Sequence, residues 1–118
     1  MNTEELLCNK TPTELFEYLS EHFGITVPNE IITVDDMKEA SSKLLFLTNE
    51  YSYIMELLSL AKIRCREAKR SGSKESYEDM VDKKEILANL ADSLKLQYSA
   101  ISRAITIKIE MNAELRML

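Results

Sequence analysis

The stretch "AKIRCREAKRSGSK", residues 61 to 74, holds six basic side chains, Lys62, Arg64, Arg66, Lys69, Arg70 and Lys74, against one acid, Glu67. It therefore carries +5 in a chain whose net charge is −5, leaving −10 for the rest. Such a cluster has two chemistries open to it. It can grip phosphates or another anionic partner, or it can neutralise helix ends and neighbouring acids. The second use fits the spacing, because five of the six cations close a helix, where they oppose the negative end of its macrodipole, and Glu75, Glu78, Asp79 and Asp82 open the next helix. In an antiparallel hairpin turning at Ser71 and Gly72, Arg64 is expected near Asp79 and Lys62 near Asp82, cancelling much of the field. Arg64, Arg66, Lys69 and Arg70 remain the candidates for contact with an anionic partner at the tip. Without interleaved aromatic residues, nucleic-acid binding is the alternative reading, not the leading one.

A second polar group is expected where the two arms of the hairpin meet again. Ser41, Ser42 and Lys43 should lie beside Ser99, Ser102 and Arg103, and hydroxyls with two cations suit a phosphate or carboxylate. This gives a further alternative, sequestration of a small phosphorylated ligand such as a nucleotide.

Nothing in the chain points to catalysis. Two glycines cannot build a phosphate-cradling loop, and neither nucleotide-binding fingerprint occurs. The single histidine, His22, has no nucleophile and acid at a usable spacing, and no Glu-x-x-His pair suggests a di-metal bundle. Cys8 and Cys65 form no Cys-x-x-Cys pair, so no disulfide framework or zinc site is expected. No catalytic residue, metal or cofactor is assigned. The acidic start "MNTEELLCNK" lacks the basic region of a signal peptide, and no apolar run reaches the roughly 18 residues of a membrane span. A soluble cytoplasmic protein is the expectation, with no membrane contact.

At 118 residues, 45% apolar and 30% charged with only two Gly and two Pro, the chain reads as all-α. Residues 1–34 form an N-terminal helix and an extended linker, and residues 35–118 a long helical hairpin. In "TPTELFEYLSEHFG", Thr11 caps, Pro12 opens the first turn, Glu14 completes a capping box and Gly24 stops the helix, with Ile25 closing over it. Leu15, Phe16, Leu19 and Phe23 share its apolar face. "ITVPNEIITV" is extended, and Thr33 with Asp36 caps the next helix.

From there Met37, Ala40, Leu44, Leu47, Tyr51, Ile54, Leu58, Ala61, Cys65 and Ala68 fill every a and d position of five heptads. Gly72 ends that helix and Ser73 caps the next, whose seam runs through Tyr77, Met80, Leu87, Ala91, Leu94, Tyr98, Ile101 and Ile105, with Lys84 as a polar intruder. "AITIKIEM", residues 104–111, alternates like a strand but is read as helix because good helix formers follow it.

Each long helix carries a second apolar row. Phe46, Tyr53, Leu57 and Leu60 form one, and Val81, Ile86, Leu90 and Leu96 the other. An N-terminal helix of ~20 Å cannot cover a hairpin of ~54 Å. Phe46, Tyr53, Leu57, Leu60 and Leu90 are therefore assigned to an interface with a second copy, or with another protein.

The segments "YSYIMELLSLAKIRCREAKR" and "LKLQYSAISRAITIKIEM" resemble the helices of small, all-helical proteins encoded by bacteriophages and prophages of Gram-positive bacteria. The likeness spans roughly residues 40 to 112 and leaves out the N-terminal helix. It implies an accessory role in replication, packaging or counter-defence, and carries no catalytic residue. The expectation is a non-enzymatic, homo-oligomeric, coiled-coil-like interaction protein.

Overall fold

The computed structural model describes residues 3–22, 31 and 33–117. Among these residues four helices follow in order: α1 (Thr3–Cys8), α2 (Pro12–His22), α3 (Val34–Ser71) and α4 (Lys74–Met117). No strand occurs among the described residues, and residues 104–111 are helical, as expected. α3 and α4 lie side by side as an antiparallel hairpin within a particle of 69 × 21 × 18 Å. Its radius of gyration, 18.9 Å, far exceeds the ~13.5 Å of a compact chain of this length. The molecule is a rod.

Local chemistry sets the ends of the helices. At α2, the Glu14 amide donates to Thr11 Oγ1 at 3.2 Å and the Thr11 amide to Glu14 Oε1 at 3.4 Å. Thr33 and Asp36 repeat the reciprocal arrangement at α3, at 3.1 and 2.9 Å. Gly72, at φ 76°, occupies the left-handed region that a Cβ disfavours, and its amide donates to the Lys69 carbonyl at 3.3 Å. Ser73 then accepts from the Ser76 amide at 3.4 Å and starts α4. The expected stop at Gly24 and Ile25, and most of "ITVPNEIITV", lie outside the described residues.

Most of the expected seam is buried or half-buried, but Tyr98, expected within it, is 42% exposed. Ala40, Leu47, Ile54, Leu58, Ala61 and Cys65 of α3 meet Met80, Leu87, Ala91, Leu94 and Ile101 of α4 in one core cluster. The N-terminal end departs from expectation in two ways. The segment before Thr11 is helical, and Leu6 and Leu7 of α1 are fully buried, each stabilising the fold by about 1.5–3 kcal/mol. The buried lysine is Lys83, 1% exposed, and not Lys84. Its ammonium donates to the Leu7 carbonyl and pairs with Asp79 at 2.7 Å, so it ties the C-terminal turn of α1 to α4. Arg64 pins the other end of α1 through an ion pair with Glu4.

These contacts make two predictions. Lys83→Ala removes the donor from a buried carbonyl and the partner of Asp79, so it should cost about 1–3 kcal/mol and speed hydrogen exchange at Leu6 and Leu7. Gly72→Ala meets no steric contact, so chemical denaturation should read only the backbone cost, about 1 kcal/mol.

Candidate anion-binding face of the hairpin

The hairpin has two flanks, and among the described residues α1 and α2 cover one of them. At about 100° per residue, Lys83, Ile86 and Leu90 lie on one side of α4, while Tyr77, Lys84 and Lys95 lie nearly opposite. α1 and α2 occupy the first side. Lys83 meets α1, and Phe16, Leu19 and Ser20 of α2 line a cleft with Ile86 and Leu90. On α3 the same rule separates Arg64 from Lys62 and Arg66, each two residues and so roughly half a turn away.

The basic run is therefore divided by its own helix. Arg64 turns to the covered side, where it pairs with Glu4 and donates to Glu67 Oε2 at 3.0 Å. Lys62, Arg66 and Lys69 turn to the open side. Together with Cys65 and with Tyr77 and Lys84 of α4 they line a groove of about 440 Å³. No acid stands three or four residues from Lys62, Arg66, Lys69 or Lys84 on its own helix, and none of the four forms an ion pair among the described residues. The expected pairings are corrected accordingly. Asp79 binds Lys83 and not Arg64, and Lys62 is not neutralised by Asp82. Arg70 is exposed at the tip, outside the groove.

Further from the tip, Leu47, Thr48 and Tyr51 of α3 face Leu94, Lys95, Tyr98 and Ser99 of α4 across a second groove of about 420 Å³. Lys95 Nζ stands 5.9 Å from the centre of the Tyr51 ring, a cation–π arrangement. The open side thus carries both aromatic rings and cations along its length. Lys62 follows Tyr51, and Lys84 precedes Lys95, by 11 residues, ~16 Å along the helix. Sequence reasoning places Tyr51, Tyr77 and Tyr98 in the seam, and so does not count them as interleaved with the basic residues. The usable signal is the absence of acids around Lys62, Arg66, Lys69 and Lys84.

The surface assigned to partners is mostly internal. Leu57 is fully buried, and Tyr53, Leu60 and Leu90 are half-buried against the core. Phe46 alone of the five is exposed, at 47%. Of the expected serine cluster, two positions can be followed. Lys43 pairs with Glu39 at 3.5 Å on the opposite side of α3 from Ser41, and of the six residues only Ser99 lines one of these grooves. His22, exposed on α2, stacks on Tyr18 at 4.1 Å and donates through Nδ1 to the Tyr18 carbonyl at 3.0 Å.

Cys8 is exposed and Cys65 buried, and both are free thiols. Among the described residues no group of His, Cys, Asp and Glu is placed to hold a metal ion, and no helix is long and apolar enough to cross a membrane. Compared with known proteins, the chain matches no family model, no curated protein and no solved structure.

One acid on the covered side is out of balance. Glu50 is 5% exposed, its Oε2 has no hydrogen-bond partner among the described residues, and burial pushes its pKa up from 4.5 to about 7. A folded value above the unfolded one means that the native state holds the extra proton. The associated stability is complete below pH 4.5 and is lost as pH rises towards 7. The melting temperature should thus fall across that interval, and Glu50→Gln should flatten the fall, raising stability at about pH 8 by roughly 1–2 kcal/mol.

Proposed function

We propose that this chain is a non-enzymatic helical interaction and assembly protein, self-associating at one end of its rod and holding another macromolecule on its open side. An accessory role for a phage or mobile element, in replication, packaging or counter-defence, fits this reading. The observation that carries it is the uneven placement of exposed apolar side chains. Of the twelve large ones among the described residues, eight stand at the end away from the tip, on residues 34–46 and 107–117. Phe46, Ile107, Met111 and Leu115 are 46–67% exposed there. At about 100° per residue, the last three form one stripe of α4. That helix has 44 residues against 38 in α3, so its final turns run on past the start of α3.

A stripe with i, i+4, i+8 spacing is the surface by which helices pair. A second copy supplies the matching stripe without any further protein, as closed homo-oligomers do. The reading differs from sequence expectation in location. Self-association belongs to the end of α4 and to Phe46, not to Tyr53, Leu57, Leu60 and Leu90, which the chain shields with its own α1 and α2 side.

Sedimentation measures this directly. The chain, 13.6 kDa as a monomer, should sediment as an oligomer at micromolar concentration. Ile107→Glu with Met111→Glu should return it to the monomer with helicity retained. Leu96→Glu, at an exposed apolar position outside that end, should leave it unchanged. A wild-type monomer at high concentration would remove the proposal.

A further inference from the structure

We propose that the open side of the hairpin is a binding groove for single-stranded nucleic acid, held through its phosphates. The inference rests on the chain being a non-enzymatic binding protein, but not on its self-association.

Lys62, Arg66, Lys69 and Lys84 converge on one groove of about 440 Å³ with no acid in its lining. Four cations brought together repel one another, and an anion between them relieves that repulsion. The form of the groove selects the kind of anion. Lys62 and Lys69 stand two helical turns apart, ~10 Å along α3, and Tyr77 and Lys84 are spaced likewise along α4. Both walls are helix interiors, whose backbone amides are already engaged within the helix, so no nest of free N–H groups closes around a single phosphate. What remains is a charged track running along the rod, suited to a chain of phosphates.

The track continues into rings. Tyr77 stands among the cations, and the second groove adds Tyr51 and Tyr98 with Lys95. Tyr98 is 42% exposed. Cations following a backbone, with aromatic faces at intervals, are the elements by which proteins hold unpaired bases. Paired bases are stacked inside a duplex and cannot reach rings set between two helices, so the ligand is single-stranded. No Asn, Gln, Asp or Glu lines either groove, so the bidentate amide readers of adenine and the carboxylate acceptors for cytosine are missing, and phosphates and ring faces carry the contact. The net charge of −5 opposes long-range attraction, so affinity depends on close contacts and on salt.

Fluorescence anisotropy of a labelled oligo(dT) with the full chain tests this. Binding should saturate at low salt, and log K should fall against log [salt] with a slope of about −3 for four phosphate contacts. Unlabelled oligo(dT) should compete better than a duplex of equal charge or than polyglutamate. Lys62→Glu with Arg66→Glu should weaken binding by at least about tenfold and flatten the slope. Arg70→Glu with Lys74→Glu makes the same change of charge outside the groove and should leave affinity within about twofold. Tyr98→Ala should weaken binding about fivefold or more without changing the slope.

Absence of binding, equal losses in the two charge variants, or equal competition by polyglutamate would overturn the assignment, the last in favour of an acidic protein partner. The monomeric Ile107→Glu, Met111→Glu variant should still bind. Oligonucleotide binding that vanished with the oligomer would overturn a groove contained in one chain, while wild-type oligomers that bound nothing would overturn the groove and leave self-association standing alone.

Discussion

Two helices packed along a line bury only the side chains that face one another, and each leaves two flanks of its own to water. A hairpin of 38 and 44 residues therefore needs cover on both sides, and α1 and α2 have only 6 and 11 residues to supply it. They cover one side of the half nearer the tip. Everything else about the surface follows from which side that is. The covered side takes Leu57, Lys83, Ile86 and Leu90, and the open side keeps Tyr51, Tyr77, Tyr98 and the cations of the tip groove. The far end keeps its apolar residues exposed on both arms.

The docking of α1 also decides how the basic run is used. A six-residue helix has little stability of its own, so α1 depends on its tertiary anchors. These are the buried leucines, the Lys83 bond to the Leu7 carbonyl and the ion pair from Arg64 to Glu4. The ion pair is solvent-screened and adds little to stability. Lys83 matters more, because it is buried: losing Asp79 would leave its charge unpaired, and losing Lys83 itself would leave the Leu7 carbonyl without its donor. By taking Arg64 and Lys83 to one side, the docking leaves Lys62, Arg66, Lys69 and Lys84 together on the other. The tip groove is in this sense what remains once the N-terminal helix has been fastened.

What is legible in the sequence is local or periodic. Thr11 with Glu14, Thr33 with Asp36, Gly72 and Ser73 act within one turn, so residue type alone marks them. The seam is legible because ten heptad positions agree. The alternation in "AITIKIEM" misleads as a strand signal, for in the helix Ile105 is half-buried while Ile107 and Ile109 are exposed. α1 escapes a local reading because its anchors are distant in sequence, Lys83 lying 76 positions from Leu7. The charge pairings fail for a related reason. A fixed sum of positions assigns residues to one level along the rod and says nothing of the side they face. Arg64 and Asp79 each find a nearer partner, Glu4 and Glu67 for the first and Lys83 for the second. The same omission hides the groove, since tyrosines credited to the seam also border the open side.

The two proposed surfaces obey different physics, and this permits them to work independently. Apolar association at the far end draws on water release and is little affected by moderate salt. A charged groove loses affinity steeply as salt rises, because its gain is the release of counterions from the phosphates. On α3, the tip-groove cation nearest the far end is Lys62, 16 residues from Phe46, a span of ~24 Å along the helix. That exceeds the ~8–10 Å over which charges act at ordinary salt, so the cations of the tip groove exert little direct force on the far end. Copies joined through their apolar ends would then keep every groove free, and a single strand running from one groove to the next would be held by several at once. Linked sites of this kind raise one another's effective concentration, so modest affinity in each groove suffices for firm attachment of the assembly.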